Sequence, residues 1–421
     1  MTNNKDILVK HRRLFLQSAG LGIVGLLSMN SKTWAAAMET LSAGTEFGNQ
    51  FANGQREMIA YPQKRKLMRI TTRPQHLETP FEVFNKGVIT PNDAFFVRYH
   101  LANIPLSIDP DTYRLTVTGH VDNTLSLSLA EIKALAKPVE VIAVNQCSGN
   151  SRGYSSPRVF GAQLGNGSMG NAKWVGVSVK TVLEKVGVKT GATLVSFNGL
   201  DAPVLPTTSD FIKTLAIDHA TNGGPILAWE MNGEELPFLN GYPLKLIVPG
   251  YFGTYWVKHV SEIKLLDIPF EGHDSFFMNT AYRVPDNDCL CVPVGTVPSV
   301  TKSITTLKVR AFMTSLQNNQ AVKLKQKLAL KGIAFDSGSG IQQVQVSADG
   351  GTNWMSAKLG KDLGRFSFRE WQLEYVPIQK GALALMVRAT ANSGETQPMT
   401  ATWNPGGYLR NVVETIKINV A

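Results

Sequence analysis

Short apolar runs separated by polar, turn-forming residues dominate the chain between residues 61 and 298. Runs of this kind are typical of strands. They predict strands over Arg114–Val117, Val139–Asn145, Thr193–Asn198, Pro225–Met231 and Leu244–Val248. Helical spacing is rarer and predicts two short helices, Leu129–Leu135 and Ser178–Val186, the second followed by Gly187. Because the helices are short and not regularly interposed between the strands, the pattern indicates an α+β fold.

Beyond about residue 299 the pattern predicts strands alone. Apolar and polar positions alternate in short segments at intervals of roughly ten residues, with turn residues between them. The clearest segments are Ile341–Ser347, Phe366–Tyr375 and Ala382–Ala389, and Asp349-Gly350-Gly351 forms a tight turn before Trp354. We therefore expect an all-β, immunoglobulin-like sandwich over residues 299–421, after a first domain of residues 61–298.

The first 37 residues have the pattern of an export signal. His11-Arg12-Arg13-Leu14-Phe15-Leu16-Gln17 contains a twin-arginine pair, and Ala35-Ala36-Ala37 is a small-residue cleavage site. The apolar segment between them is too short and too rich in glycine to span a bilayer. We predict twin-arginine export to the periplasm, with a Sec signal as the alternative. Residues 38–60 are polar and predict an arm or linker.

The charge balance argues against two classes of function. The 421 residues include 42 Lys and Arg and 32 Asp and Glu, a formal net charge of +10. The export signal has five basic residues and one acidic residue, so about +6 remains on the mature chain. Without a basic helix or a second long apolar run, the sequence predicts neither nucleic-acid binding nor stable membrane insertion. A mild positive excess suits an anionic substrate or an acidic docking partner.

Three cysteines do not make a disulfide scaffold. Cys289 and Cys291 are separated by one residue, a spacing poorly suited to a bridge, and we expect them to be free thiols. The Cys-x-x-Cys-His pattern of c-type haem attachment does not occur, so we expect no haem in this chain. An electron-transfer role would therefore need an external carrier.

Cys147 has the strongest signal for chemistry. It follows the predicted strand Val139–Asn145 and opens the loop Cys147-Ser148-Gly149-Asn150-Ser151-Arg152. Small turn residues expose such a thiol, and a fixed positive charge favours the thiolate, which attacks electrophiles or binds soft metals. A buried structural thiol is the alternative on this segment alone.

Three other segments carry residues suited to anions. In Phe95-Phe96-Val97-Arg98-Tyr99-His100, strand geometry puts Arg98 and His100 on one face. Phe197-Asn198-Gly199-Leu200-Asp201 ends a predicted strand with a polar turn. Residues 240–258 contain the Gly-x-x-Gly spacing of Gly250 and Gly253, where the backbone can approach a ligand closely.

These segments together resemble the sulfite oxidase family of molybdenum-cofactor enzymes. The likeness covers nearly the whole mature chain and rests on four motifs in the family's order: Phe-Phe-Val-Arg-x-His, Cys-Ser-Gly-Asn-x-Arg, Pro-Gly-x-x-Gly-x-x-x-Val-Lys and Asp-Gly-Gly-x-x-Trp. The loop of residues 145–153 looks like that of bacterial periplasmic sulfite:cytochrome c dehydrogenases. The resemblance implies a sulfite-oxidase-type molybdopterin-binding domain at 61–298 and a dimerisation domain at 299–421.

The resemblance also implies roles for individual residues. Cys147 would be the protein ligand of molybdenum, since a soft thiolate suits a sulfur-rich site. Arg98, His100 and Arg152 would bind the substrate oxyanion, and Tyr282 would help to move a proton. The residues implied to hold the pterin are Phe96, Val97, Arg98, Tyr99, His100, Asp201, Asn240, Lys245, Trp256, Val257 and Lys258. Structural ion pairs, packing and surface solvation are the alternatives for these side chains.

Three positions depart from the animal members of the family. Asn240 and Lys245 stand where those enzymes have histidine and arginine, and Trp403-Asn404-Pro405-Gly406 replaces a Trp-Asn-x-Arg segment whose arginine lies near the substrate. Substrate binding would therefore rely on Arg98, Arg152 and His100.

The sequence predicts oxidation of sulfite to sulfate, with electrons passed singly to a c-type cytochrome. A methionine sulfoxide (S-oxide) reductase or a sulfane-sulfur dehydrogenase on the same site is the alternative reaction. An immunoglobulin-like binding protein on an inactive scaffold is the alternative of another class. The chain would form a homodimer or a heterodimer with a cytochrome subunit.

Overall fold

The structure of the chain is a computed structural model that describes residues 56–269 and 275–421. The predicted export signal and residues 38–55 of the predicted arm lie outside the described residues. Residues 58–60, also assigned to the arm, belong instead to a strand, because Met58 pairs with Met68 of the following strand. Within the described ranges no helix has both the length and the apolar character needed to cross a bilayer.

The first part of the described chain contains sixteen strands and four short helices. The strands are β1 (Met58–Tyr61), β2 (Lys64–Thr71), β3 (His76–Glu78), β4 (Val97–Arg98), β5 (Leu115–Gly119), β6 (Leu125–Leu127), β7 (Val139–Gln146), β8 (Met169–Ser178), β9 (Leu194–Gly199), β10 (Lys213–Ala216), β11 (Ile226–Met231), β12 (Glu234–Glu235), β13 (Lys245–Ile247), β14 (Val260–Leu266), β15 (Arg283–Pro285) and β16 (Thr301–Ser303). The helices are α1 (Leu129–Ala134), α2 (Val179–Val186), α3 (Ile217–Thr221) and α4 (Phe276–Asn279).

These strands form three larger sheets and the hairpin β15–β16. β1 to β4 pair in chain order, and a second sheet has the order β12–β11–β8–β7 with β13 also paired to β11. The third has the order β10–β9–β14–β5–β6, in which β14 and β5 run parallel. All five predicted strands and both predicted helices of this part are observed within two residues of their predicted bounds. The part is mostly sheet with few helices.

The helix that follows β6 shows why short elements can be predicted from sequence: its capping residues lie within a few positions of its start in the chain. Ser128 caps α1: its hydroxyl accepts a hydrogen bond from the Glu131 N–H at 3.2 Å, and the Glu131 carboxylate accepts one from the Ser128 N–H at 2.7 Å. Such a reciprocal box satisfies two donors that a helix start otherwise leaves unpaired.

The C-terminal part is a sandwich of two sheets. Its strands are β17 (Arg310–Met313), β18 (Gln320–Val322), β19 (Leu328–Phe335), β20 (Ile341–Ser347), β21 (Met355–Ser356), β22 (Lys358–Leu359), β23 (Arg369–Tyr375), β24 (Gly381–Ala391) and β25 (Glu414–Val420). The sheet orders are β17–β19–β23–β22 and β18–β25–β24–β20–β21, and one hydrophobic cluster takes side chains from both. The immunoglobulin-like assignment is narrower than this architecture and stays a prediction.

A hydrophobic cluster joins the sandwich to the first part of the chain. It combines Val144 of β7 and Met169 of β8 with Phe312 of β17 and Phe335 of β19. The Val144 N–H also donates to the carbonyl of Phe366 at 2.9 Å. The C-terminal end of β7 and the loop after it therefore pack against the sandwich.

The expectation of two free thiols near residue 290 was wrong. Cys289 and Cys291 form a disulfide, with their Cα atoms 5.1 Å apart, within the usual range for disulfides. Leu290 between them has a φ of 52°, in the left-handed region. That backbone bend turns both side chains toward one another, which sequence spacing alone does not reveal.

Candidate active site

β7 runs from the surface into the interior, and Cys147 follows its buried end. The strand is exposed at its beginning and buried over its last four residues, and Cys147 follows as a free thiol with 7% exposure. Its N–H donates to the Ser168 carbonyl at 2.9 Å, and its carbonyl accepts from the Asn150 N–H at 2.9 Å. Ser151 then adopts a left-handed φ of 72° and reverses the chain before Arg152. The thiol is therefore fixed by backbone contacts on both sides.

A cavity lies beside this thiol. Eleven of the fourteen candidate residues line it: Phe96, Arg98, Tyr99, His100, Cys147, Asp201, Asn240, Lys245, Trp256, Lys258 and Tyr282. They come from sequence segments more than 180 residues apart, so the fold has assembled the motifs into one place.

Three candidate residues do not line the cavity. Val97 is fully buried in a small cluster with Leu67 and Leu77, and Val257 is fully buried in the main core. A contact from either valine to a ligand in the cavity would have to come from its backbone. Arg152 is the third.

Arg152 is held at the edge of the sandwich. Its Nε donates to the Gly406 carbonyl at 2.8 Å, and its guanidinium carbon lies 4.8 Å from the centre of the Tyr408 ring. A Cβ atom on Gly149 would lie 2.9 Å from that carbon, so the glycine makes room for the guanidinium. Gly406 stands where the animal members of the family have an arginine. Its carbonyl accepts a hydrogen bond from the Arg152 side chain instead.

His100 and Tyr282 form a neutral hydrogen-bonded pair in the cavity wall. The His100 Nε2 and the Tyr282 hydroxyl are 2.6 Å apart, and Phe211 stacks on the imidazole at 3.7 Å between ring centres. Burial, followed by the charge of Arg98, lowers the pKa of His100 well below its ordinary value. Burial raises the pKa of Tyr282. A neutral imidazole and a neutral phenol can exchange a proton across this bond.

Three lysines lie on the opposite side: Lys245 and Lys258 line the cavity, and Lys64 adjoins it through Asn240. Burial lowers the pKa of Lys64 and of Lys245 to about 7, and it lowers that of Lys258 well below its ordinary value. Asp201 is the carboxylate in the cavity lining, and burial raises its pKa to about 6. Within the described ranges the Lys245 amine has aromatic rings but no hydrogen-bond acceptor or carboxylate beside it, the nearest ring being Trp174 at 4.8 Å. Such a set of cations suits an anionic group.

The cavity fits a molybdopterin cofactor. Besides the cations, it has three buried polar atoms that form no hydrogen bond with the described residues: Asn145 Oδ1, Ser148 Oγ and Thr254 Oγ1. Buried polar atoms of this kind are ordinarily satisfied by a partner. Within the same residues no group of three or more His, Cys, Asp or Glu could hold a metal, and Cys147 is a buried free cysteine.

Sequence reasoning missed several residues of the cavity. Asn145, Ser148 and Thr254 line it, as does Phe211, and Lys64 reaches Asn240 and the carbonyl of Phe95. Asn145 and Ser148 lie within two residues of Cys147, so their position in the chain was a usable signal. Phe211 and Lys64 lie in segments without a motif, and nothing in their local pattern distinguishes them from ordinary strand or loop residues.

Known proteins similar to this chain agree with the geometry. The family model "oxidoreductase molybdopterin binding domain" matches residues 100–274, and the model "Mo-co oxidoreductase dimerisation domain" matches residues 301–421. The sulfite oxidase of Gallus gallus is 33% identical over 354 residues, which cover 80% of this chain and 74% of that protein. The mitochondrial sulfite oxidase of Macaca fascicularis is 32% identical over 366 residues, 83% of this chain, but the match spans only 65% of its length.

A solved structure shares the fold. The sulfane dehydrogenase SoxCD from Paracoccus pantotrophus superimposes with a TM-score of 0.71 at 24% identity, covering 87% of this chain and 90% of that one. Identity at this level is evidence for fold and not for reaction. Three findings agree: a cysteine lies at a cavity lined by basic side chains, two family models match, and a relative is 33% identical to this chain over 354 residues. The chain therefore belongs to the sulfite oxidase family of molybdenum-cofactor oxidoreductases.

Proposed function

We propose that this chain oxidises sulfite to sulfate in the periplasm and passes the electrons one at a time to an external c-type cytochrome. The balanced reaction consumes sulfite and water and yields sulfate, two protons and two electrons. The observation that carries the proposal is that the free Cys147 thiol and the Arg98 guanidinium line the same cavity. One suits molybdenum and the other a small oxyanion.

The cofactor, when bound, would supply oxygen-atom transfer and accept the two electrons. Cys147 would hold its metal, and the cation cluster of Lys64, Lys245 and Lys258 would neutralise its phosphate. Asp201 would accept hydrogen bonds from the amino groups of the pterin.

Three other residues would act on the substrate. Arg98 would bind and orient the sulfite oxygens through its parallel N–H groups. The Tyr282 hydroxyl would hold a proton near the reacting oxygen, and His100, 2.6 Å away, would receive or return it. Tyr282 is only 8% exposed, which limits the access of bulk water to this exchange.

One observation favours a second reaction on the same site. Arg152 does not line the cavity and donates to the Gly406 carbonyl, so Arg98 is the guanidinium in the described lining. A pocket with a single guanidinium would also accept a neutral sulfoxide or a protein-bound sulfane sulfur. We keep methionine sulfoxide reduction and sulfane-sulfur oxidation as the alternatives.

The match of residues 301–421 to a dimerisation domain supports a homodimer or a heterodimer with a cytochrome subunit. Sedimentation of the purified chain, alone and mixed with a c-type cytochrome, would distinguish the two assemblies.

The decisive experiment combines a metal assay with sulfite-dependent reduction of cytochrome c, using protein expressed with a supply of molybdenum cofactor. We expect molybdenum near one atom per chain and turnover with sulfite well above that with methionine sulfoxide or a persulfide. Cys147→Ser should lose at least about 99% of turnover, because a hydroxyl is a poor ligand for a soft site.

A matched control removes the other two cysteines. The double variant Cys289→Ser, Cys291→Ser keeps the Cys147 thiol and should keep most of its molybdenum and turnover. Full sulfite oxidation by Cys147→Ser, or faster turnover of methionine sulfoxide by the intact protein, would refute the proposal.

A further inference from the structure

Lys213 is a buried lysine that the proposed mechanism does not use. It begins β10, is 1% exposed and does not line the active-site cavity. Its Nζ donates to the carbonyl of Phe277 at 2.7 Å, and it lies 4.5 Å from the ring centre of Tyr255 and 5.5 Å from that of Tyr282. Removing an ammonium group from water is costly. An apolar side chain would avoid that cost but could not make the bond to Phe277.

The segment that leads into β10 supports one face of His100. Phe211, two residues before Lys213, stacks on the imidazole at 3.7 Å between ring centres, with 5° between the ring planes. Lys213 itself is anchored in the sheet, because β10 pairs with β9 and Phe197 is its Cα partner. The position of His100 is therefore tied to β10.

The position of Tyr282 is tied to α4 instead. Tyr282 follows this helix by three residues and adopts a left-handed φ of 58°. The Ala281 N–H between them donates to the carbonyl of Phe276 at 2.8 Å, so the backbone before Tyr282 is bonded to the helix. Phe277 of α4 also packs edge-on against His100, with 5.6 Å between the ring centres.

Lys213 joins these two supports. Its bond to the Phe277 carbonyl connects β10 with α4 across 64 residues of sequence. A longer bond from the Ser275 hydroxyl to the carbonyl of Ile212, at 3.4 Å, crosses the same boundary. His100 and Tyr282 form the proton-handling pair, and one is supported by β10 while the other follows α4. The length of their hydrogen bond consequently depends on how closely the two elements are held.

We infer that Lys213 is a positioning residue for sulfite oxidation, which fixes α4 against β10 and so keeps the Tyr282 hydroxyl within hydrogen-bond reach of His100. This inference rests on the proposed function of the pair. The charge of Lys213 supports the same role, because burial, followed by the charges of Arg98, Lys258 and Lys213, lowers the pKa of His100 well below its ordinary value. The imidazole is then neutral and able to receive a proton.

Steady-state kinetics of the cofactor-loaded enzyme test this role. Lys213→Met keeps the length of the side chain but removes its charge and its N–H donors. We expect kcat for sulfite to fall about tenfold or more, since a misplacement of about 1 Å can slow a reaction strongly. KM should stay within a factor of about two, because Lys213 does not line the cavity. Lys213→Gln provides the same test should Lys213→Met not fold.

Leu215→Ala is the matched control. Leu215 also lies on β10 and is 1% exposed, but it makes no bond to α4. The variant should lower the melting temperature by leaving a cavity, while kcat stays within a factor of about two. A similar loss of kcat in Leu215→Ala and Lys213→Met would show that general loosening of β10, and not the bond to α4, slows the reaction.

Crystal structures of the variants provide a readout that does not depend on turnover. The His100 Nε2 and the Tyr282 hydroxyl should separate beyond about 3.5 Å in Lys213→Met and stay hydrogen-bonded in Leu215→Ala. Unchanged kcat in both Lys213 variants, or an unchanged contact between the pair in their crystals, would overturn the inference. An intact enzyme that does not oxidise sulfite would refute the proposed function instead, and the crystals would still decide whether Lys213 positions the pair.

Discussion

At the scale of single residues, burial controls the chemistry of the cavity. His100 and Tyr282 are both driven toward their neutral forms by removal from water, and the 2.6 Å contact couples them. Tyr408 of the sandwich packs 5.7 Å from Tyr282 and 4.8 Å from the Arg152 guanidinium, measured to ring centres. Tyr282 and Arg152 therefore share a neighbour from the C-terminal part of the chain.

Tyr282→Phe tests the proton-handling pair. The change removes the hydroxyl but keeps the ring, so kcat for sulfite should fall roughly 10- to 100-fold while stability falls by only about 1 kcal/mol. Steady-state kinetics and urea denaturation measure the two effects. Tyr251→Phe, at a tyrosine that does not line the cavity, should leave kcat within a factor of two. Equal kcat in Tyr282→Phe and the intact enzyme would remove Tyr282 from the mechanism.

At the scale of elements, close backbone contact between β5 and β14 limits which residue can occupy position 119. The two strands are parallel and Gly119 is the Cα partner of Leu265. Gly119 has a φ of 89°, and a Cβ atom there would lie 2.1 Å from the Leu265 carbonyl oxygen. The sheet that leads into the Asp201 turn thus depends on a position without a side chain.

Gly119→Ala should be strongly destabilising for this reason. Overpacking against a backbone atom and a left-handed alanine together should cost about 3 kcal/mol or more. The matched control is Gly233→Ala, with a φ of 84° and no atom within 4 Å of the added Cβ, which should cost about 1 kcal/mol. Urea denaturation of both variants separates steric clash from backbone strain. Equal losses would show that the clash is relieved by movement of β14.

At the scale of the whole molecule, the fold brings three lysines from separate segments to one side of the cavity. Lys64, Lys245 and Lys258 come from β2, β13 and the segment before β14, and all three have lowered pKa values because burial removes them from water. Each such amine binds its proton more weakly in the folded than in the unfolded chain. An anion in the cavity offsets this cost, so cofactor binding and stability are linked.

The cofactor-free protein should therefore become more stable between pH 7.5 and pH 9.5. In this window the unfolded chain, with lysine pKa values near 10.5, binds more protons than the folded chain, in which Lys64 and Lys245 titrate at about 7. The free energy of unfolding then rises with pH, by on the order of 2 kcal/mol or more. The raised pKa values of Glu78, about 7, and Asp201, about 6, act in the opposite direction only at lower pH.

Urea denaturation at three pH values measures this slope. Lys245→Met removes one of the lysines and should flatten the slope, and the cofactor-loaded protein should also have a smaller one. Stability that falls as pH rises through this window would contradict the assigned burial of the lysines.

The local pattern of apolar and polar residues determined many of the strands and helices of this protein. The cysteine after a strand, the capped helix at Leu129 and the alternation of β20 are decided by neighbours in sequence, because strand and helix periodicities are local properties. β8 was missed because its glycines and Asn171 have low strand propensity, although its central place in the sheet buries most of its residues.

Only the tertiary structure decided which side chains meet. The fold brings Phe211 onto His100, Lys64 onto Asn240 and the Gly406 carbonyl onto Arg152, over separations of up to 254 residues. It also bends Leu290 so that Cys289 and Cys291 bridge. The sequence determined that Cys147 ends a strand beside an arginine. The partners that make that thiol part of a cofactor cavity come from distant segments, whose approach depends on packing that local pattern does not contain.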